Sequence, residues 1–255
     1  MKMYTWKNKR LEFISCIILI LIWQLVAVKI NNEVYIPRIE DVLLALLKIL
    51  KDKDFWMNIF SSLYRSILSF ILAYILAVLF GVISLICPIF KSFIKPINSI
   101  GKTIPTMVLV VLSLIWFDKD KTPYVVGFSI VFPILYEGVV NSILDIDSKI
   151  IEMCNIYNVT LKQKVRKLYI PSIMFYTLGI LVSTFSLAFK VVIAGEVHGQ
   201  PRYGIGSAIQ LEKMNFNTTA IFAWIIIIGI VSIIFEKVNQ LISKRLYRWK
   251  NENRN

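Results

Sequence analysis

Arg65, Glu137 and Lys190 each stand inside an apolar run, in "SSLYRSILSF", "FPILYEGVVN" and "FSLAFKVVIA". A charge in such a setting costs several kcal/mol unless it is paired or faces water, so these residues are expected to act on a polar solute. Glu137 and Asn141 are four apart and share one face of a helix. Ser183, Ser186 and Lys190 fall within ~60° of each other on a wheel of ~3.6 residues per turn. Together with Arg65 these polar faces are the candidate lining of a translocation path. A direct Glu137–Lys190 pair is not expected. At ~1.5 Å per residue Glu137 lies ~20 Å below the outer end of its run and Lys190 only ~6–8 Å below its own. The alternative for Lys190 is that it snorkels to the membrane interface.

No catalytic constellation accompanies these charges, and an enzyme is not expected. His198 is the single histidine, which argues against a histidine-based metal centre or a nucleophile–base triad. "GKT" at 101–103 resembles the end of a phosphate loop. Such a loop needs a glycine five residues before the Gly-Lys pair and a strand leading into it, and Pro96 stands at that place. ATP therefore has no expected site on this chain. Cys16, Cys87 and Cys154 are widely spaced, with neither metal-ligand spacing nor a disulfide framework; no cofactor or metal is expected.

The elements that must carry these residues are membrane helices. The sequence is 57% hydrophobic and only 18% charged over 255 residues, less charge than a soluble domain uses to cover its surface. Runs long enough for a ~30 Å hydrocarbon layer fall at about Leu11–Val28, Ser66–Pro88, Thr103–Phe117, Tyr124–Leu144, Ser172–Ala194 and Thr219–Ile242. The expected fold is an all-α integral membrane protein of about six spans. The third run is short, and "FIKPINSIGK" before it could extend it as a broken helix. "IEDVLLALLKIL" (39–50) is too short to span and is expected in the interface or packed on other helices. The first run lacks a small-residue cleavage site in "VAVKINNEVYIP" and is read as a retained helix. Residues 1–58 are expected to form a tail, a first span and the short helix, 59–245 the core, and 246–255 a C-terminal tail.

With six spans and both termini on one side, that side carries eighteen Lys and Arg residues and the other nine. The positive-inside rule then places both termini in the cytoplasm. The net charge of +13 is thus a topology signal and does not point to nucleic acid. The same topology puts "KIIEMCNIYNVTLKQKVRKLYIP" (149–171) in the largest cytoplasmic loop. Ile150, Met153, Cys154 and Tyr157 recur at helical spacing on one face. Asp147 or Ser148 is expected to cap the helix start. Asn158 suits a left-handed turn, and a second short helix leads to Pro171.

This loop resembles that of the permeases of ABC importers, whose pattern is Glu-Ala-Ala, three residues, Gly, nine residues, then Ile-x-Leu-Pro. Glu152, Met153 and Cys154 are followed after three residues by Asn158, and after nine more by Leu168-Tyr169-Ile170-Pro171. Met and Cys replace the alanines, and Asn replaces the glycine. Further resemblances follow in order along the chain, to permeases of the nitrate, sulfonate and taurine type. "YIPRIEDVLLAL" resembles their Leu-Pro-Ser-Pro segment. "SSLYRSILSF" places Arg65 on the family arginine. "GKTIPTMVLVVLSLIWF" keeps Ile104, Pro105, Trp116 and Phe117 of the Ile-Pro…Trp-Phe stretch but lacks its second proline. "AGEVHGQPRYGIGSAI" keeps Glu196, Gly204, Gly206 and Ile209. "RLYRW" is similar to the family's basic-aromatic end.

The resemblance implies a permease subunit working by alternating access. Two copies, a homodimer, would form the path. A dimer of cytoplasmic ABC ATPase subunits would bind the loops, and an extracytoplasmic solute-binding protein would deliver the solute. Glu152, Met153, Cys154, Tyr157, Asn158, Leu168, Ile170 and Pro171 would then form the coupling loop. The implied solute is small: nitrate, a sulfonate, taurine or a pyrimidine-like compound. The rival reading is a self-sufficient secondary transporter or channel, which would show internal repeats and need no cytoplasmic partner; a third is a non-transporting scaffold.

Overall fold

The computed structural model describes the backbone of Thr5–Leu246 and the side chains of Leu11 and Phe13–Val238. Residues 1–4 and 247–255, with Lys2 of the basic start and most of "RLYRW", lie outside the described residues. Every regular element among the described residues is helical. Five helices are long and apolar enough to cross a membrane, and a bent pair brings the number to six.

Chain contacts divide the protein into two compact units: residues up to Phe55 with Ala208–Ile230, and Trp56–Ser207 with the segment from Val231. In the first unit, α1 (Thr5–Ile30) is followed by α2 (Ile39–Leu50), the short helix expected from the sequence. α2 buries Val42 and Ile49 and leaves Leu43, Leu44 and Leu47 exposed. The turn between them is closed by side chains. Trp23 Nε1 donates to the Pro37 carbonyl at 3.1 Å, and Gln24 Nε2 donates to both Glu40 carboxylate oxygens at 3.0 Å. The Gln24 hydrogen bond holds the Glu40 carboxyl below its ordinary range. Asn31 adopts the left-handed conformation there (φ 48°) and accepts from Arg38 Nη2 at 2.7 Å.

The second unit contains most of α3 (Phe55–Ile86), then α4 (Pro88–Thr103), α5 (Thr106–Trp116), α6 (Thr122–Leu144), α7 (Ser148–Ile156), α8 (Leu161–Lys164) and α9 (Ile170–Gly199). α10 (Ile205–Met214) and α11 (Thr218–Leu246) each contribute residues to both units. In the core of this second unit Phe70, Ala73 and Ala77 of α3 pack with Val131 and Leu135 of α6 and Phe185 and Ala188 of α9. The outward residues Ile71, Ile75 and Leu79 are exposed, as suits helices whose solvent is lipid.

The third expected run is a broken one. α4 and α5 meet at a bend of 106°. Ile104 is extended there (φ −66°, ψ 125°), the conformation that a following proline, here Pro105, favours by crowding the helical one. α5 has eleven residues, ~16 Å at helical rise, so it spans nothing without α4.

Candidate functional site

α7 begins where a carboxylate satisfies its free amides. The Asp147 side chain accepts from the Lys149 N–H at 2.9 Å, as a helix cap should. The helix ends in a two-bond closure around Asn158, which takes the left-handed conformation at φ 51°. The Val159 N–H donates to the Cys154 carbonyl at 2.9 Å and the Asn158 N–H to the Asn155 carbonyl at 3.1 Å. This is the geometry a glycine usually supplies at a helix C-terminus, and Asn is the next residue type to tolerate it. Thr160 and Gln163 then form a reciprocal capping box that starts α8. Lys164 Nζ donates to Asn155 Oδ1 at 2.6 Å, tying the second short helix back to the first.

One expectation needs correcting. The second short helix does not stop before Pro171. It runs through a π turn, Val165–Tyr169, directly into α9. Proline has no N–H and its ring crowds the carbonyl four residues back. The wider turn, in which the Ile170 N–H reaches the Val165 carbonyl, carries the chain past that defect, as such bulges do. Ser172 Oγ donates to the Ser142 carbonyl at 2.6 Å, fixing the base of the loop to the end of α6.

The loop's outer surface is unusual for a lone chain. No residue of α7 is buried. Met153 is 50% exposed, Ile156 77% and Tyr157 76%, while Glu152 and Asn158 are exposed and Cys154 is half-buried. Ile170 is exposed beside half-buried Leu168 and Pro171. An apolar helix face held out by caps and a closed turn has the form of a docking element.

The residues proposed to line a path separate into three settings. Arg65 is 8% exposed, and its Nη1 lies 2.7 Å from Glu196 Oε1, with Glu196 fully buried. Ser62 Oγ donates to Glu196 Oε2 at 2.6 Å and the Gly206 N–H donates to the same oxygen at 3.1 Å. Arg65 Nη1 also donates to the Tyr203 carbonyl at 2.7 Å. Asn58 Oδ1 accepts from the Gly204 N–H at 2.9 Å, and Ser62 Oγ from the Ile205 N–H at 2.8 Å. Asn58, Ser62 and Arg65 are spaced four and three apart and so form one stripe of α3. The arginine's charge is spent inside the fold, on pinning the 203–206 segment, rather than on a passing solute. Gly204 and Gly206 permit this closeness. A Cβ at Gly204 would lie 2.7 Å from Glu196 Cδ, and one at Gly206 only 2.3 Å from the Ile193 carbonyl oxygen. Sequence reading placed Arg65 and Glu196 in separate motifs; nothing in spacing joins residues 131 apart.

Glu137 does not meet Lys190. It pairs with Lys102 of α4, both side chains being partly exposed. Glu137 and Asn141 line a cavity of about 210 Å³ whose other walls include α4. Ser183, Ser186 and Lys190 share their face of α9 apart from that cavity, with Ser183 and Lys190 exposed and Ser186 half-buried. Ser183 Oγ bonds back to the Ile180 carbonyl at 2.9 Å. No three metal-ligating side chains converge among the described residues.

Long apolar helices, one of them broken, polar groups set into them and a protruding helical loop define a multi-span membrane transport protein. The family model described as "Binding-protein-dependent transport system inner membrane component" matches residues 73–248. The chain belongs to that family and is a permease subunit of an ABC importer. Among its relatives, a Bacillus subtilis protein named as the aliphatic sulfonates transport permease SsuC is 22% identical over 238 residues, 92% of this chain and 85% of that protein. An ABC transporter permease of Methanocaldococcus jannaschii is 24% identical over 91% of this chain and 88% of its own length. The riboflavin transport system permease RibX of Chloroflexus aurantiacus is 26% identical over 62% of this chain and 59% of its own. A chain of the inward-facing MetNI methionine ABC transporter superposes with a TM-score of 0.59 at 16% identity, covering 74% of this chain and 94% of that one.

Proposed function

We propose that the loop built from α7, α8 and the π turn is the site through which a separate cytoplasmic ATPase drives this permease. The observation that carries the reading is the exposed apolar face presented by Met153 and Ile156 of α7, a helix with no buried residue, and by Tyr157 at its C-terminal end. Glu152 stands beside it, and Leu168, Ile170 and Pro171 couple the loop to α9 without a break. A push on α7 is transmitted through the Lys164–Asn155 tie and the continuous helix into α9. ATP is bound and hydrolysed on the partner, two copies of this chain frame the path, and an external binding protein supplies the solute. Both termini lie in the cytoplasm, on the side with the larger count of Lys and Arg.

The path in this reading is bordered by the Glu137–Asn141 face and the Ser183, Ser186 and Lys190 face, with Arg65 holding its frame. The solute is a small anion of the sulfonate or nitrate kind, a reading supported by the sulfonate relative and by the basic Lys190. The test is purification from native membranes in mild detergent, wild type against Glu152→Arg and Tyr157→Asp. An ATPase subunit that accompanies the wild type and is lost from both variants supports the reading. A loop that tolerates both changes, with its ATPase still bound, overturns it.

A further inference from the structure

α4 carries two opposed faces. Ile89, Phe93 and Ile100 are 82%, 65% and 59% exposed, an apolar strip along one side. Lys91, Lys95, Asn98 and Lys102 recur at four, three and four residues, a second strip on one side of the helix. This polar strip faces α6 across the cavity of about 210 Å³, where Glu137 and Asn141 form the opposite wall. Lys102 is neutralised by Glu137, but neither Lys91 nor Lys95 has an ion-pair partner among the described residues.

A second feature of the cavity is independent of its charge. Asn98 is only 7% exposed, and its amide oxygen is buried with no hydrogen-bond partner. Such an orphan costs about 1–3 kcal/mol, and native folds rarely leave one without a use. The nearby Tyr136 hydroxyl does not serve it, being bonded to Ser84 Oγ at 2.8 Å. The cavity therefore offers two free ammonium groups to an anion, and an amide oxygen and a carboxylate to a hydrogen-bond donor on the same molecule.

We propose that the cavity between α4 and α6 binds a tetrahedral oxyanion that also carries a hydroxyl donor. Lys91 and Lys95 hold the anion, and Asn98 accepts from the hydroxyl. That chemistry is shared by the headgroup of phosphatidylglycerol and by a free sugar or glycerol phosphate. The exposed apolar strip of α4 is where acyl chains would lie if the source is lipid, as in other basic pockets at a membrane surface. The site is distinct from the docking loop and does not depend on it.

The experiment uses the purified full-length permease in its transporter complex. Native mass spectrometry would count phosphatidylglycerol against phosphatidylcholine retained per chain, and calorimetry would titrate glycerol 3-phosphate. Wild type is compared with Lys91→Gln/Lys95→Gln and with Asn98→Leu. Binding should weaken about fivefold for each lysine removed. It should also weaken severalfold in Asn98→Leu, whose unliganded melting temperature stays level or rises because the buried orphan is gone. Retention of phosphatidylglycerol alone identifies a lipid site, and heat from glycerol 3-phosphate alone a soluble ligand; either supports the proposal. Equal retention of the two lipids with no heat overturns it, as does binding indifferent to both variants. Because no step measures ATPase association, this result and that of the docking test are separable.

Discussion

Replacing Arg65 with methionine tests how the 203–206 segment is held. The change removes the cation from a pair in which the Glu196 side chain is 0% and the Arg65 side chain 10% exposed. The carboxylate keeps only the Ser62 hydroxyl at 2.6 Å and the Gly206 N–H at 3.1 Å, and the Tyr203 carbonyl loses its donor. Leaving one charge of a buried pair uncompensated costs about 3–5 kcal/mol. At about 2–4 °C per kcal/mol for a chain of this size, melting in detergent should fall by roughly 10 °C. Removing both charges in Arg65→Met/Glu196→Leu should recover part of the loss, about 2 kcal/mol, because no bare charge remains. Full recovery is not expected, since the Ser62 hydroxyl, the Gly206 N–H and the Tyr203 carbonyl each lose one bond. The reasoning is refuted if the double variant is as unstable as the two single changes added together, for then the groups do not act as a pair.

Other substitutions probe neighbouring steps of the argument. Gly206→Ala should destabilise by about 1–3 kcal/mol or more, measured by the same melting assay, because the atoms it meets at 2.3 and 2.7 Å are backbone. Asn158→Val should loosen the loop by about 1–2 kcal/mol, the cost of the left-handed conformation, while Asn158→Gly should not; hydrogen exchange over residues 148–160 distinguishes them. Glu137→Gln should change stability by under about 1 kcal/mol, since the Lys102 pair is partly exposed, so a melting shift of 10 °C would show that the pair is misjudged. Lys190→Leu should alter transport kinetics while the assembled complex is recovered in normal yield; unchanged kinetics would remove Lys190 from the path.

The parts of this structure that were legible in the sequence are those governed by local rules. Apolar run length located the spanning helices, and the semi-polar stretch before the short third run announced a broken one. A cap at Asp147 or Ser148 and a left-handed turn at Asn158 were legible because both roles depend on one residue's own side chain and backbone. The π turn was not legible, since Pro171 permits either a helix start or a bulge, and Ser172 bonding to Ser142 together with packing of Tyr169 and Ile173 against Val139 and Ile143 favours continuity. Arg65 was recognisable as a buried charge needing a partner, but identifying Glu196 required the fold. Lys102 was read only as a topology charge and as the lysine of a rejected phosphate loop, because its pairing with Glu137 exists only once α4 is placed beside α6. Asn98 gave no signal at all: an unpartnered amide exists only once its neighbours are placed.

The central claim is that this chain moves solute only when coupled to a separate ATPase. Its most direct test is uptake into liposomes holding either the permease alone or the permease with its ATPase and binding protein, with ATP or an ion gradient as the only energy source. The account predicts accumulation in the full complex with ATP, none from the permease alone, and loss of accumulation in Glu152→Arg. Gradient-driven accumulation by the permease alone, undiminished by that change, would contradict it.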